Sequence, residues 1–204
     1  KEVLDTAKKL GYAESNPSAD LNGDDVSAKL KILSSLCFNS FLNNNIHVEG
    51  INNIDKDDIE NANKLGYKIK LLGYAELLNN IIYQRVHPTL IKKSSYVASI
   101  DGVLNAVIIN GVPVGQSIIQ GEGAGPAATT SALVSDISSI LRGNIKFPFS
   151  ISNKERKNLI FKDISNRSFS GYLRFEVKDK SGVLSNITSI FSTQNVSIKR
   201  LIQN

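Results

Sequence analysis

Apolar positions recur with a helical period near both ends of the chain and alternate in a strand-like way between them. Val3, Leu4, Ala7 and Leu10 fall on one face of residues 2–10, which predicts a helix stopped by Gly11. Residues 12–22 are rich in Asn, Asp, Ser and Pro and predict a loop. Residues 25–38 predict a longer helix, with Asp24 as its N-cap and Asp25 in the first turn, where the helix dipole favours an anion. At about 100° per residue, Val26, Leu30, Leu33 and Cys37 form one apolar stripe, and Ile32 and Leu36 form a second beside it. Ser27, Lys31, Ser34 and Ser35 fall on the opposite side, toward water. Asp25 and Lys29 share the arc of Ile32 and Leu36, so Lys29 is expected to point inward. A charged pair on an inward arc suits a site. It equally describes an ordinary i,i+4 ion pair contributing about 0.3–0.5 kcal/mol, and the pattern leaves both readings open.

Beyond this helix, residues 39–45 are polar and turn-like, and residues 47–51 fit a short strand or a loop. Residues 55–65 predict a short helix opened by Asp55 and ended by Gly66. Residues 67–78 predict a strand, Asn79-Asn80 a turn, and residues 81–87 a returning strand broken by His87-Pro88. Residues 96–100 are a further strand candidate, and residues 104–110 and 112–120 predict a hairpin around Asn110-Gly111. Hairpins between helices give an α+β fold, with a mostly antiparallel or mixed sheet and helices on one face. The words LGYAE occur twice, at residues 10–14 and 72–76, in different contexts, and do not make a repeat.

The turn Gly121-Glu122-Gly123-Ala124-Gly125 leads into a predicted helix over residues 127–141. Glycines let a backbone approach a ligand, and a helix start offers unpaired N–H groups. Many strand-to-helix turns share this composition, and the spacing is not that of the dinucleotide fingerprint. Residues 143–166 show no period and read as a loop or linker. The pattern sharpens after Gly171: a strand over 172–179, a helix over 181–194 with Val183, Leu184, Ile187, Ile190 and Phe191 on one stripe, and a strand over 195–203.

Composition narrows the classes. The chain has 204 residues, 41% hydrophobic and 21% charged, within the range of globular proteins. No apolar run is long enough to span a bilayer, and no signal-peptide pattern opens the chain, so a cytoplasmic protein with no membrane partner is expected. Net charge is +5, without a dense basic run interleaved with aromatics, so nucleic acid is not implied. Mild basicity suits an anionic cofactor or substrate. The one cysteine, Cys37, reads as a small core residue. His47 and His87 lack partners at ligand spacing, so no metal is expected. Methionine is absent even at position 1, and the chain opens within a helical pattern, which suggests a fragment of a longer protein.

Ala7, Gly11, Tyr12, Ala13, Asn16, Pro17, Asp20, Leu21, Gly23, Asp25 and Lys29 resemble, position by position, the signature of homoserine dehydrogenase, the NAD- or NADP-dependent enzyme between L-homoserine and L-aspartate 4-semialdehyde. Segments around RVHPTLI, the NAV of the hairpin and PAATTSALVSDI resemble the same family, so the likeness runs from Lys1 to about Arg142. It implies that Lys29 transfers the proton, that Glu14 and Asp25 hold the substrate ammonium with support from Asp20, and that Gly11, Glu14, Gly121, Gly123 and Gly125 lie near the cofactor. It also implies a preceding nucleotide-binding domain, without which residues 1–204 alone would be inactive. A homodimer or homotetramer and a place in threonine, methionine and isoleucine synthesis follow from the same likeness. The Asp179-Lys180-Ser181-Gly182-Val183-Leu184 turn resembles the opening of an ACT domain, a small amino-acid-binding module for which threonine is the expected ligand. An unrelated α/β tail fits the same pattern. The expected organisation is a catalytic and dimerisation domain over 1–145, a linker over 146–168 and a partial ACT domain over 169–204. The alternative is a non-catalytic amino-acid-binding or dimerisation module.

Overall fold

The computed structural model describes residues 16–42, 44, 46–123, 125–144, 151–163 and 167–203. The helix expected over 2–10 therefore lies outside the described residues. In chain order the elements are α1 (Ser18–Asn22), α2 (Asp24–Phe38), β1 (His47–Val48), α3 (Lys56–Lys64), β2 (Tyr67–Leu78), β3 (Ile81–Lys92), a 3₁₀ turn (Tyr96–Ser99), β4 (Leu104–Gly111), β5 (Gly115–Glu122), α4 (Pro126–Leu141), a second 3₁₀ turn (Asn153–Glu155), β6 (Ile160–Phe161) and α5 (Val183–Thr193). The fold is α+β. Its main sheet is mixed: β2 and β3 form a long antiparallel hairpin, and β1 and β6 pair with the outer side of β3 in parallel. The second sheet is the β4–β5 hairpin.

Where local chemistry decides, the expected elements form. Asp55 caps α3 in a reciprocal box with Asp58, and Gly66 follows at φ 83°. Asn79 and Asn80 both adopt positive φ, 48° and 66°, which joins β2 and β3 with the twist a two-residue hairpin needs. Elsewhere neighbours overrule the pattern. Pro88 does not break β3, which continues to Lys92. Ile82 and Val86 turn their carbonyls toward β6 and β1, accepting from Lys162 and Glu49. Pro88 has the same parity, so its missing N–H faces away from β2 and removes no bond from that ladder. Residues 96–99 form a 3₁₀ turn rather than a strand, because Lys68 and Lys70 reach across to the carbonyls of Ala98 and Ile100 and to Asp101. The second hairpin turns at Val112-Pro113-Val114, with Gly111 opposite Gly115, so Asn110-Gly111 closes the ladder instead of forming the turn. Part of the expected linker joins the main sheet as β6.

The two faces of the β2–β3 hairpin are covered differently. On one, Ile82, Gln84 and Val86 are buried beneath α2. Gly73, the register partner of Val86, lies under Val26 and Leu30 of that helix. On the other, the Arg85 guanidinium lies 3.8 Å from the centre of the Phe169 ring and 5.2 Å from that of Tyr74. Arg167 pairs there with Glu76 and sits over Tyr83. Burial pushes the Tyr74 phenol up and the Arg85 guanidinium down from their ordinary values.

The C-terminal unit keeps its helix, α5, but neither expected flanking strand enters a ladder among the described residues. A strand needs a neighbour for its N–H and C=O groups, and these segments reach the rest of the fold through side chains. Arg174 forks onto Asp55, Asp57 and Asp58 of the α3 start, the Tyr172 hydroxyl donates to Asp58, and Arg200 donates to the Leu65 carbonyl at the helix end. No described residue from 167 to 203 is buried. The unit is thus held largely by charge, which salt screens. Raising sodium chloride from about 0.1 to 1 M should speed proteolytic cleavage within residues 167–180 while β2 and β3 stay uncut. Arg174→Met should show the faster cleavage already at low salt.

Two further outcomes follow from this packing. The Gln84 side chain is buried, and neither its Nε2 nor its Oε1 has a hydrogen-bond partner among the described residues. Gln84→Met keeps the shape and removes the buried amide, so the urea midpoint should rise by the equivalent of about 1–2 kcal/mol. Hydrogen bonds from Lys68 and Lys70 lower Asp101 from 3.8 to about 2. A depressed carboxylate stabilises the fold fully above its unfolded value and loses that contribution as pH falls from 3.8 toward 2. Acid unfolding of Asp101→Asn should accordingly be less steep over that window than that of the parent chain.

Candidate active site

The Asp25–Lys29 pair is built from a glycine corner. Gly23 takes φ 85°, closes α1 and opens α2 by accepting from Ser27 N–H. A Cβ here would stand 3.2 Å from Cγ1 of both Val48 and Val86, so the corner needs glycine for conformation and for space. Gly50 packs directly on the backbone of Leu21 and Asn22, and Ile51 N–H donates to Leu21 O at 2.8 Å. The corner is thereby clamped to the sheet through β1. Asp24, expected as the N-cap, is the first residue of α2, and Gly23 holds the cap position. The expected loop also contains α1.

Asp25 Oδ2 and Lys29 Nζ are 2.7 Å apart, with side chains 39% and 55% exposed. The helix is rotated from the expected orientation. Ser27, Ser34 and Ser35 are buried, while Ile32, Leu36 and Cys37 are exposed and Lys31 is half-buried. The hydroxyls explain this. Ser34 Oγ donates to Leu30 O at 2.6 Å and Ser35 Oγ to Lys31 O at 2.7 Å, and Ser35 Oγ also accepts from Leu42 N–H. Small side chains whose polar atoms are satisfied can be buried, so the serine face packs inward. Lys29 and Asp25 consequently lie on the open arc of α2, beside Ile32 and Leu36. Asp20 is exposed on α1, and no hydrogen bond or ion pair joins its carboxylate to this pair among the described residues. Glu14 and Gly11 lie outside the described residues.

The glycine turn stands on the second sheet. Gly121 pairs with Asn105, Gly123 N–H donates to Val103 O, and Gly125 caps α4 at φ 107° with Pro126 at the first helical position. A Cβ at Gly123 would collide with the Asn105 amide, at 2.2 Å from Nδ2. Among the described residues no side chain caps α4, and Gly121 and Gly123 are exposed, so the N–H groups of Ala127 and Ala128 are available to a ligand. The Tyr96 hydroxyl ties this hairpin to the 3₁₀ turn through Gln120. Among the described residues, no hydrogen bond or ion pair connects the glycine turn to Asp25 or Lys29.

Residues 1–138 match the family model for homoserine dehydrogenase. The chain belongs to the homoserine dehydrogenase family. It is 39% identical to a homoserine dehydrogenase of Neisseria gonorrhoeae, covering 99% of this chain and 48% of the relative, and 37% identical to one of Helicobacter pylori, covering 100% and 48%. The crystal structure of a homoserine dehydrogenase from Thiobacillus denitrificans superposes with a TM-score of 0.84 at 32% identity, covering all of this chain and 48% of that one. The chain spans about half the length of the curated relatives it matches. The seat of α2 on Gly73 is not singled out by the sequence pattern. A lone glycine inside a strand pattern was its signal, since such a residue marks a close backbone approach.

Proposed function

We propose that this chain carries the substrate half of an NAD- or NADP-dependent homoserine dehydrogenase, acting between L-homoserine and L-aspartate 4-semialdehyde in a protein of its relatives' length. The observation that carries the reading is the 2.7 Å Asp25–Lys29 pair on a helix start fixed by Gly23, within a family match over residues 1–138. Lys29 moves the proton. In alcohol oxidation its neutral amine accepts the hydroxyl proton, and in reduction its ammonium donates to the aldehyde oxygen. Asp25 orients Lys29 through Oδ2 and, with Glu14, holds the substrate ammonium, while Asp20 adds negative charge nearby. When bound, the nicotinamide accepts or returns the hydride at C4 of the substrate. The uncapped start of α4 and the side-chain-free Gly121, Gly123 and Gly125 are chemically suited to lie against that cofactor.

Lys29 and Asp25 lie on an open arc, and proton transfer beside a hydride acceptor needs water excluded. Closure of that arc is assigned to parts of a chain of the relatives' length, so residues 1–204 alone should not turn over. The exposed apolar side chains of β5 and α4 support a homodimer or homotetramer. The strand-like sequence pattern on either side of α5 supports a partial ACT-like unit, with threonine as its proposed ligand, in a cytoplasmic enzyme of threonine, methionine and isoleucine synthesis. The family match does not favour the alternative of a non-catalytic binding module.

The test is nicotinamide reduction with homoserine in a chain of the relatives' length. Lys29→Ala should lower kcat about a hundredfold or more. Full activity in that variant would move proton transfer to another residue.

A further inference from the structure

We infer that Gly73 is a positioning residue for the Asp25–Lys29 pair, a step that rests on the catalytic reading of Lys29. Gly73 lies in the middle of β2, opposite Val86. A Cβ there would stand 3.1 Å from Val26 Cγ1 and 3.4 Å from Leu30 Cβ and Cδ1. Carbon atoms prefer about 3.5–4.0 Å, so an added methyl must displace something. Neither neighbour yields easily. Val26 is β-branched and holds one rotamer in a helix, and the Leu30 Cβ is fixed to the backbone. The start of α2 must therefore shift by a few tenths of an ångström, chiefly at Val26.

That start carries the chemistry. Val26 directly follows Asp25, and Leu30 directly follows Lys29. The helix cannot relieve the contact by sliding, because Gly23 fixes its start against Val48 and Val86, the latter fully buried. A shift at Gly73 thus tilts the arc bearing the carboxylate and the amine relative to whatever binds above it. Proton transfer depends steeply on such placement, since a 1 Å error can cost about a hundredfold.

The experiment uses a chain of the relatives' length and compares Gly73→Ala, Gly73→Ala with Val26→Ala, and Lys29→Ala. Gly73→Ala should lower kcat about tenfold while the KM for the nicotinamide cofactor stays close to wild type and the thermal midpoint falls by only a few degrees. The Val26→Ala change, which removes the nearest methyl, should restore most of the lost kcat. Wild-type kcat in Gly73→Ala, with Lys29→Ala inactive, overturns the inference and leaves the catalytic reading intact. Wild-type kcat in Lys29→Ala overturns both. A Gly73→Ala chain that fails to fold, beside a folded double variant of wild-type kcat, makes Gly73 a folding residue and likewise overturns the inference.

Discussion

The height at which α2 sits over the β2–β3 hairpin constrains most of what surrounds it. Three residues set it. Gly23 turns the chain into the helix where any side chain would meet Val48 and Val86. Val86 is fully buried and is the register partner of Gly73, on which Val26 and Leu30 rest. A helix held this close needs small side chains on its lower face, and α2 supplies Ser27 and Ser34 there. Serine is acceptable at position 34 because its hydroxyl returns to the helix's own carbonyl. The apolar residues of α2 that do not fit beneath it, Ile32 and Leu36, are left on the outer arc with Asp25 and Lys29.

The opposite face of the same hairpin follows another rule. There the covering segment is held by guanidinium groups: Arg85 between Tyr74 and Phe169, Arg167 on Glu76 and Tyr83, and Arg174 on the acidic start of α3. Such contacts are specific in direction but weak in water, and they bury little apolar area. Asp58 belongs to both systems, since it completes the cap of α3 and also receives Arg174 and Tyr172. The capping carboxylate of Asp55 is held below its usual range first by the backbone N–H of Asp58 and then by Arg174. The cap is thus closed within α3, and the C-terminal unit docks on the carboxylates that close it.

What was legible in the sequence divides along the range of the deciding interaction. The start of α3 at Asp55, the Asn79-Asn80 turn and, to within one residue, the start of α4 are decided within a few residues, and each appeared where the pattern placed it. The rotation of α2 is decided by serine hydroxyls finding carbonyls one turn back and by the glycine beneath the helix, which an apolar-stripe count does not register. Pro88 is tolerated because of its parity relative to strands from 40 residues before and over 70 after it, β1 and β6. The strands expected near the C-terminus had the right alternation, but alternation says nothing about whether a neighbouring strand is there to complete them. At the site, the spacing of Gly23, Asp25 and Lys29 was legible, and the pair forms at 2.7 Å. Its direction, outward and not inward, was not.

That direction changes how the site has to work. An inward lysine would be held by its own core and would need no other cover. An outward one gains precision only from the rigidity of the helix beneath it, and gains a dry environment only from something laid over it. Rigid support below and a removable cover above are compatible with a substrate that must enter and leave. They also explain why the glycine contacts lie under the first two turns of α2 and not under its C-terminal half. On the proposed role of Lys29, those two turns carry the groups whose height matters to proton transfer.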